Sequence, residues 1–245
     1  MVIRHWSRLE AHGREPRVQS LMRDEAGVAL LIALLSMMFL AALGMALALT
    51  TSTESRISAA YSQGMDTFYA ADAAFEWVLQ DLSGLADWNL VLGEGVTSTF
   101  TDGPPGLRDL PDATRLDLVE ATARITCGRS VCSDADIDSS TADRPWGSNN
   151  PRWQLYAHGR LSDMSPSRTL RSFTYVVVWV ADDPLETDGL PLVDGDDSAG
   201  ANPGKGLLQV QAHAYGLAGS RSIVEATLRR ADMRVRVVSW RHIRQ

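Results

Sequence analysis

The chain has 245 residues, enough for one core of ordinary size plus an extension but too few for two large domains. Its formal charge is −7, and residues 1–27 carry five Arg against four acids, so the rest is more acidic still. No face needs to be basic, which argues against nucleic acid as a partner, and two cysteines are too few for a disulfide scaffold.

Residues 28–49 contain no charge and no proline. At about 1.5 Å per residue they reach ~33 Å as a helix, enough to cross the apolar core of a bilayer. A buried helix of a globular protein would normally show a polar face, and this run has none. A cleaved signal peptide is the nearer rival, with Ala46-Leu47-Ala48 as its cleavage site and a secreted enzyme starting near Thr50 as its product. Residues 50–82 argue against removal. They hold no proline and only Gly64, and Ile57, Tyr61, Gly64, Met65, Phe68, Ala71, Phe75, Val78, Leu79 and Leu82 recur at helical spacing. Glu54, Arg56, Gln63, Asp66, Asp72, Glu76 and Asp81 fall between them as the wetter face. One helix over residues 28–82 is therefore expected, lipid-like in its first half and amphipathic in its second.

Three stretches together resemble a known family: Gly27-Val28-Ala29-Leu30-Leu31-Ile32-Ala33-Leu34-Leu35, Thr50-Thr51-Ser52-Thr53-Glu54-Ser55-Arg56-Ile57 and Phe68-Tyr69-Ala70-Ala71-Asp72-Ala73-Ala74-Phe75-Glu76. A polar leader ending in Gly, an apolar helix directly after it and an Ala-rich amphipathic half are similar to type IV prepilins, in detail to the PilX-like minor pilins. The resemblance covers about residues 22–82. It implies cleavage by prepilin peptidase between Gly27 and Val28, N-methylation of Val28, and partners among other minor and major pilins, an inner-membrane assembly platform and, before assembly, membrane lipid. Residues 1–27 become a cytosolic leader, in which Met22-Arg23-Asp24-Glu25-Ala26-Gly27 would suffice alone, so that Met22 is an alternative start. Arg14, Arg17 and Arg23 precede the span and only Arg56 follows it closely, which keeps the N-terminus inside a single-pass inner-membrane protein.

Ile32 departs from the family pattern. It is the fifth residue counted from Val28, where a major pilin carries a Glu that pairs with a neighbouring subunit's terminal amine. An unpaired charge in an apolar medium costs several kcal/mol, so that pairing guides docking. A subunit with Ile32 can offer its own amine but no carboxylate, which suits an initiating or tip position. K-type minor pseudopilins of type II secretion systems share this absence and are the alternative reading. A single-span membrane-anchored binding protein, uncleaved at Gly27, is another.

Residues 83–245 read as a periplasmic or extracellular β-rich domain. A Gly/Pro-rich loop over 83–113 leaves the helix, and 121–127 is expected as a short strand. Cys127 and Cys132 close a small loop, as a disulfide outside the cytosol or as two buried thiols. A second loop spans 133–151. Strands are expected at 153–160, 169–181, 206–215, 222–229 and 235–240, with Gly216-Leu217-Ala218-Gly219 as a hairpin turn and the Arg-rich stretch 229–244 as a sheet edge. The economical fold is α+β: a long N-terminal helix, membrane-spanning in its first half, packed on a largely antiparallel β-sheet, which is also the pilin arrangement.

Six Asp and one Glu crowd residues 182–197. Asp182, Asp183, Asp188, Asp194, Asp196 and Asp197 are candidate calcium ligands, since oxygen-rich loops suit Ca²⁺, although the spacing is not that of an EF-hand. A solvated acidic loop is the competing expectation, and no other cofactor is indicated. His158, His213 and His242 stand isolated on expected strands, without a Ser, Cys or carboxylate motif nearby, so an enzyme is not expected.

Overall fold

A computed structural model describes residues 21–164, 172–186, 188–195, 204–231 and 234–244. The chain divides into two units, residues 1–57 and 58–245, each taken here by itself. Helix α1 spans Leu21–Gly84 and runs through the division. It begins seven residues before the expected start at Val28, so residues 21–27 are helical as well. The reason is local: the stretch has no proline, and a single internal glycine costs only about 1 kcal/mol relative to Ala.

In the second unit, residues 58–84 of α1 lie on a five-stranded antiparallel meander. Its strands are β3 (Gln154–Arg160), β4 (Tyr175–Asp182), β5 (Leu207–Tyr215), β6 (Arg221–Ala231) and β7 (Arg234–Arg244), ordered β3-β4-β5-β6-β7. The helix seam is made of small residues. Ala70, Ala71 and Ala74 let the backbone approach, while Phe75, Val78 and Leu82 fill the space beside Val176, Val178, Val180, Val210, Ala212 and Val224. The expected stripe is therefore displaced: Ile57, Tyr61 and Gly64 are exposed, and Thr67, Ala70 and Ala74 are buried in their place. Thr67 marks where cover begins, its hydroxyl 3.0 Å from that of Ser222 on β6. At the β5–β6 turn, a Cβ on Gly216 would stand 2.5 Å from Thr67, so the hairpin tip comes this close to α1 only with glycine there.

All eight residues of β4 are buried, because the strand is covered on both faces. Val176, Val178 and Val180 face α1, while Tyr175, Val177, Trp179 and Ala181 face a second core with Leu118 and Trp153. That second core is roofed by helix α3 (Leu118–Cys127), which corrects the strand expected at 121–127. Asp117 caps the helix, accepting from the backbone N–H of Val119 at 2.9 Å and of Glu120 at 3.3 Å. Gly128 ends it in the left-handed conformation (φ 78°). Leu118, Ala121 and Ile125 then share the face that meets the sheet.

The two expected loops carry short elements: α2 (Asn89–Leu92) and the small hairpin of β1 (Leu107–Asp109) and β2 (Arg115–Asp117) in and after the first, α4 (Asp134–Ile137) and a 3₁₀ turn (Gly147–Asn149) in the second. Helix α5 (Leu161–Met164) follows β3. The C-terminal end of α1 is tied to β6 by Arg230, which donates to the carbonyls of Leu85 and Ala86, both at 2.9 Å, and lies 4.2 Å over the Trp88 ring. Segment 98–102 shields the outer edge of β3, through Ser98 N–H to Tyr156 at 2.9 Å and His158 N–H to Phe100 at 3.1 Å. The opposite edge is β7, where Arg234, Arg236 and Arg241 give the charged edge strand expected from the sequence.

Candidate functional site

Every residue from 27 to 57 is exposed, although the stretch 28–49 is apolar on all sides. Val28, Leu31, Ile32, Leu35, Phe39 and Leu43 are each at least 45 % exposed. Isolated apolar side chains on a surface are ordinary, whereas a whole helix of them needs a nonaqueous surrounding. The helix is long and apolar enough to cross a membrane once. Just past the run, the hydroxyls of Thr50, Thr51 and Thr53 each donate at 3.0 Å to the carbonyl four residues back. These side chains are satisfied within the helix and add little polarity. Gly27 and Val28 lie within α1, with open space where a Gly27 Cβ would stand. Ile32 is one turn beyond Val28 and 59 % exposed.

Cys127 and Cys132 form a disulfide, the first of the two readings left open above. It closes the turn that follows α3, and no free cysteine exists among the described residues.

The acidic turn after β4 is buried rather than solvated, contrary to the expectation of a solvated loop. Asp182, Asp183 and Glu186 are all buried and Asp194 is half-buried. Backbone donors hold the turn in place. Asp183 accepts from Leu185 N–H at 2.9 Å, Glu186 Oε2 from Gly195 N–H at 2.9 Å, and Asp194 Oδ1 from Gly206 N–H at 2.6 Å. Asn149 donates to the Glu186 carbonyl at 2.6 Å, and Asp194 N–H donates to Asn89 Oδ1 at 2.7 Å. Carboxylate oxygens of Asp182, Glu186 and Asp194 consequently lie within 4.8 Å of one another. Burial, and then the charge of Glu186, push the Asp182 carboxyl up to about 9. Burial also raises Asp194, opposed by the Gly206 N–H and by Arg230.

Of the six aspartates singled out in the sequence, the structure brings together only Asp182 and Asp194. Asp183 serves its own turn, exposed Asp188 accepts from Leu190 N–H at 2.9 Å, and Asp196 and Asp197 lie outside the described residues. Glu186 was not among the candidates, although its spacing four residues beyond Asp182 was visible.

His158 is not isolated. Its Nδ1 lies 2.8 Å from Asp102 Oδ1, and Asp102 also accepts from Arg108 Nε at 2.9 Å and from the Tyr175 hydroxyl at 3.0 Å. Asp102 stands in a Gly/Pro loop 56 residues upstream, where nothing local in the sequence links it to a strand histidine. Burial raises the Asp102 carboxyl, but the hydrogen bonds from Arg108, Tyr175 and His158 outweigh it and leave the group below its usual range. Burial lowers His158 more than Asp102 raises it, so the pair is a hydrogen bond of neutral imidazole at pH 7. Buried His213, beside Arg221 at 3.0 Å, is pushed down to about 3 by burial first and by that arginine second.

The shifts of Asp102, His158 and His213 share one linkage sign. A carboxylate lowered in the fold stabilises above its unfolded pKa and loses that contribution as pH falls. A histidine lowered in the fold takes up its proton on unfolding once pH drops below ~6.5. His158, His213 and Asp102 therefore each contribute a loss of stability on acidification from pH 7, the histidines first and Asp102 below about pH 4, while the raised Asp182 carboxyl contributes a gain over the same range. Asp102→Ala, which removes the shared acceptor of three donors, is expected to cost about 2–3 kcal/mol at pH 7. Urea unfolding of the parent and the variant at pH 7 checks this loss, and an unchanged midpoint would contradict the assignment.

No protein-family model, curated protein or solved structure matches the chain.

Proposed function

We propose that the chain is a minor pilin of the PilX-like type, incorporated into a type IV pilus in its initiating or tip complex, where it assists assembly and presents an adhesive surface. One observation carries the reading. A helix apolar on every side for 22 residues, and exposed along all of them, runs unbroken into a half that packs on an antiparallel sheet. Such a stem has two environments available, lipid before assembly and the stems of other pilins afterwards. Prepilin peptidase separates Gly27 from Val28, the leader stays in the cytoplasm, and the domain from residue 83 onward lies outside the inner membrane, where a Cys127–Cys132 disulfide persists. The role is structural, not enzymatic.

Ile32 favours an end position, since a subunit without that carboxylate cannot neutralise the amine of the subunit that would precede it. The same feature fits a K-type minor pseudopilin of a type II secretion system. Immunogold labelling of sheared filaments tests both. Label confined to filament ends supports the proposal, label spread evenly along the shaft overturns the end position, and filaments without the chain beside intact type II secretion dependence favour the pseudopilin.

A further inference from the structure

We propose that Asp182, Glu186 and Asp194 form a calcium site that locks the turn after β4 onto the body of the globular unit. The three residues come from separate points of the chain: the last residue of β4, the turn after it, and the segment leading toward β5. Their carboxylate oxygens lie within 4.8 Å of one another, a span that one ion with oxygens at ~2.3–2.6 Å can bridge.

A cluster of acids alone would not distinguish a site from a repelling patch. The second observation is Asp182 itself. It is 2 % exposed, and its Oδ1 makes no hydrogen bond among the described residues. Buried carboxylate oxygens are normally satisfied, because desolvating one without a partner costs several kcal/mol. A buried carboxyl with an unsatisfied oxygen, grouped with two further carboxylates, is the arrangement a bound cation completes. The surroundings add to the case. Gly195 and Gly206 donate backbone N–H groups to Glu186 Oε2 and Asp194 Oδ1, which fixes the orientation of both carboxylates. Gly204 presses on Glu186 so closely that a Cβ there would stand 2.2 Å from its Cγ. Arg230 and Lys205 lie near Asp194 and reduce the negative field on that side, while Asp87 adds to it; Asp188 adds to the field at Asp182.

All-oxygen donors select a hard cation. Ca²⁺ accepts irregular sets of six to eight oxygens, whereas Mg²⁺ demands near-octahedral geometry and retains its waters, which a buried turn does not readily accommodate. The proposal stands apart from the role in a filament, since it concerns only the globular unit.

The test uses the full-length chain in mild detergent, stripped with EGTA, by equilibrium dialysis against ⁴⁵Ca²⁺ and by thermal unfolding. The stripped chain is expected to bind about one Ca²⁺, and a hundredfold excess over Kd should raise Tm by ~5–10 °C. Mg²⁺ at the same concentration should raise it by less than half as much; an equal response overturns the choice of calcium. Asp182→Asn and Asp194→Asn should each weaken binding at least tenfold. Without Ca²⁺, Asp182→Asn should melt no lower than the parent, because a neutral amide of the same size relieves the crowding of a buried acidic group against Glu186. No ⁴⁵Ca²⁺ bound by the parent chain overturns the site. So does undiminished binding by both variants, or an Asp182→Asn variant that melts lower by the same amount with and without Ca²⁺.

Discussion

Arginine at both Phe39 and Leu43 is expected to release the chain from membranes. The two positions lie one turn apart near the middle of the apolar run and are 64 % and 45 % exposed. Each arginine at the centre of a spanning helix costs about 2.5–3.5 kcal/mol on insertion scales, so the pair forfeits ~5–7 kcal/mol before the lost apolar area is counted. At Thr50 and Ser52, near the end of the run, arginines reach the headgroup region with their long stems and should change little. Flotation of membranes after carbonate extraction reads the difference. The parent chain and the Thr50/Ser52 variant are expected to float, and the Phe39/Leu43 variant to stay below. Equal flotation of all three would mean that something other than lipid surrounds this helix.

The second large effect belongs to the globular unit. Phe75 is 1 % exposed, with Ala71 one turn before it, Ala74 adjacent to it, and Val78 and Leu82 beyond. Phe75→Ala opens a cavity that the flanking alanines are too small to fill, and the helix cannot move closer without losing its contacts with β4 and β5. The expected loss is ~3–5 kcal/mol, a large share of the ~5–15 kcal/mol of a typical domain. Tyr69, on the same helix but 61 % exposed, serves as the control, and Tyr69→Ala should cost under ~0.5 kcal/mol. Urea unfolding of the two variants in mild detergent separates them. A loss below ~1 kcal/mol for Phe75→Ala would contradict the placement of the helix on the sheet.

What could be read from the sequence was whatever has a local period or a local stop. The apolar run, the long helix beyond it, the strand through Tyr175-Val176-Val177-Val178-Trp179-Val180 and the hairpin around Gly216 all declare themselves within a dozen residues. The stripe on α1 was visible but rotated. Counting large apolar residues favours Ile57 and Tyr61, whereas the sheet selects the small face at Ala70, Ala71 and Ala74, which lets the backbones approach. Residues 121–127 misled because Thr and Ile weigh toward strand, yet Asp117 as cap and Gly128 as stop were both present. The pairs that build the polar sites were out of reach. His158 meets Asp102 only because segment 98–102 lies along β3, and the acidic turn is held by backbone N–H groups of Gly195 and Gly206, nine and twelve residues from the carboxylates they reach. Contacts of that kind depend on the completed topology.

The proposed role in a filament rests on the fate of the first 27 residues, and the intact mass of the chain in its native cell reports that fate directly. The proposal predicts a mature polypeptide beginning at N-methylated Val28, and a chain that keeps its leader when prepilin peptidase is deleted. A membrane-resident chain that keeps its leader with the peptidase present, or a mature chain starting near Thr50, would contradict it.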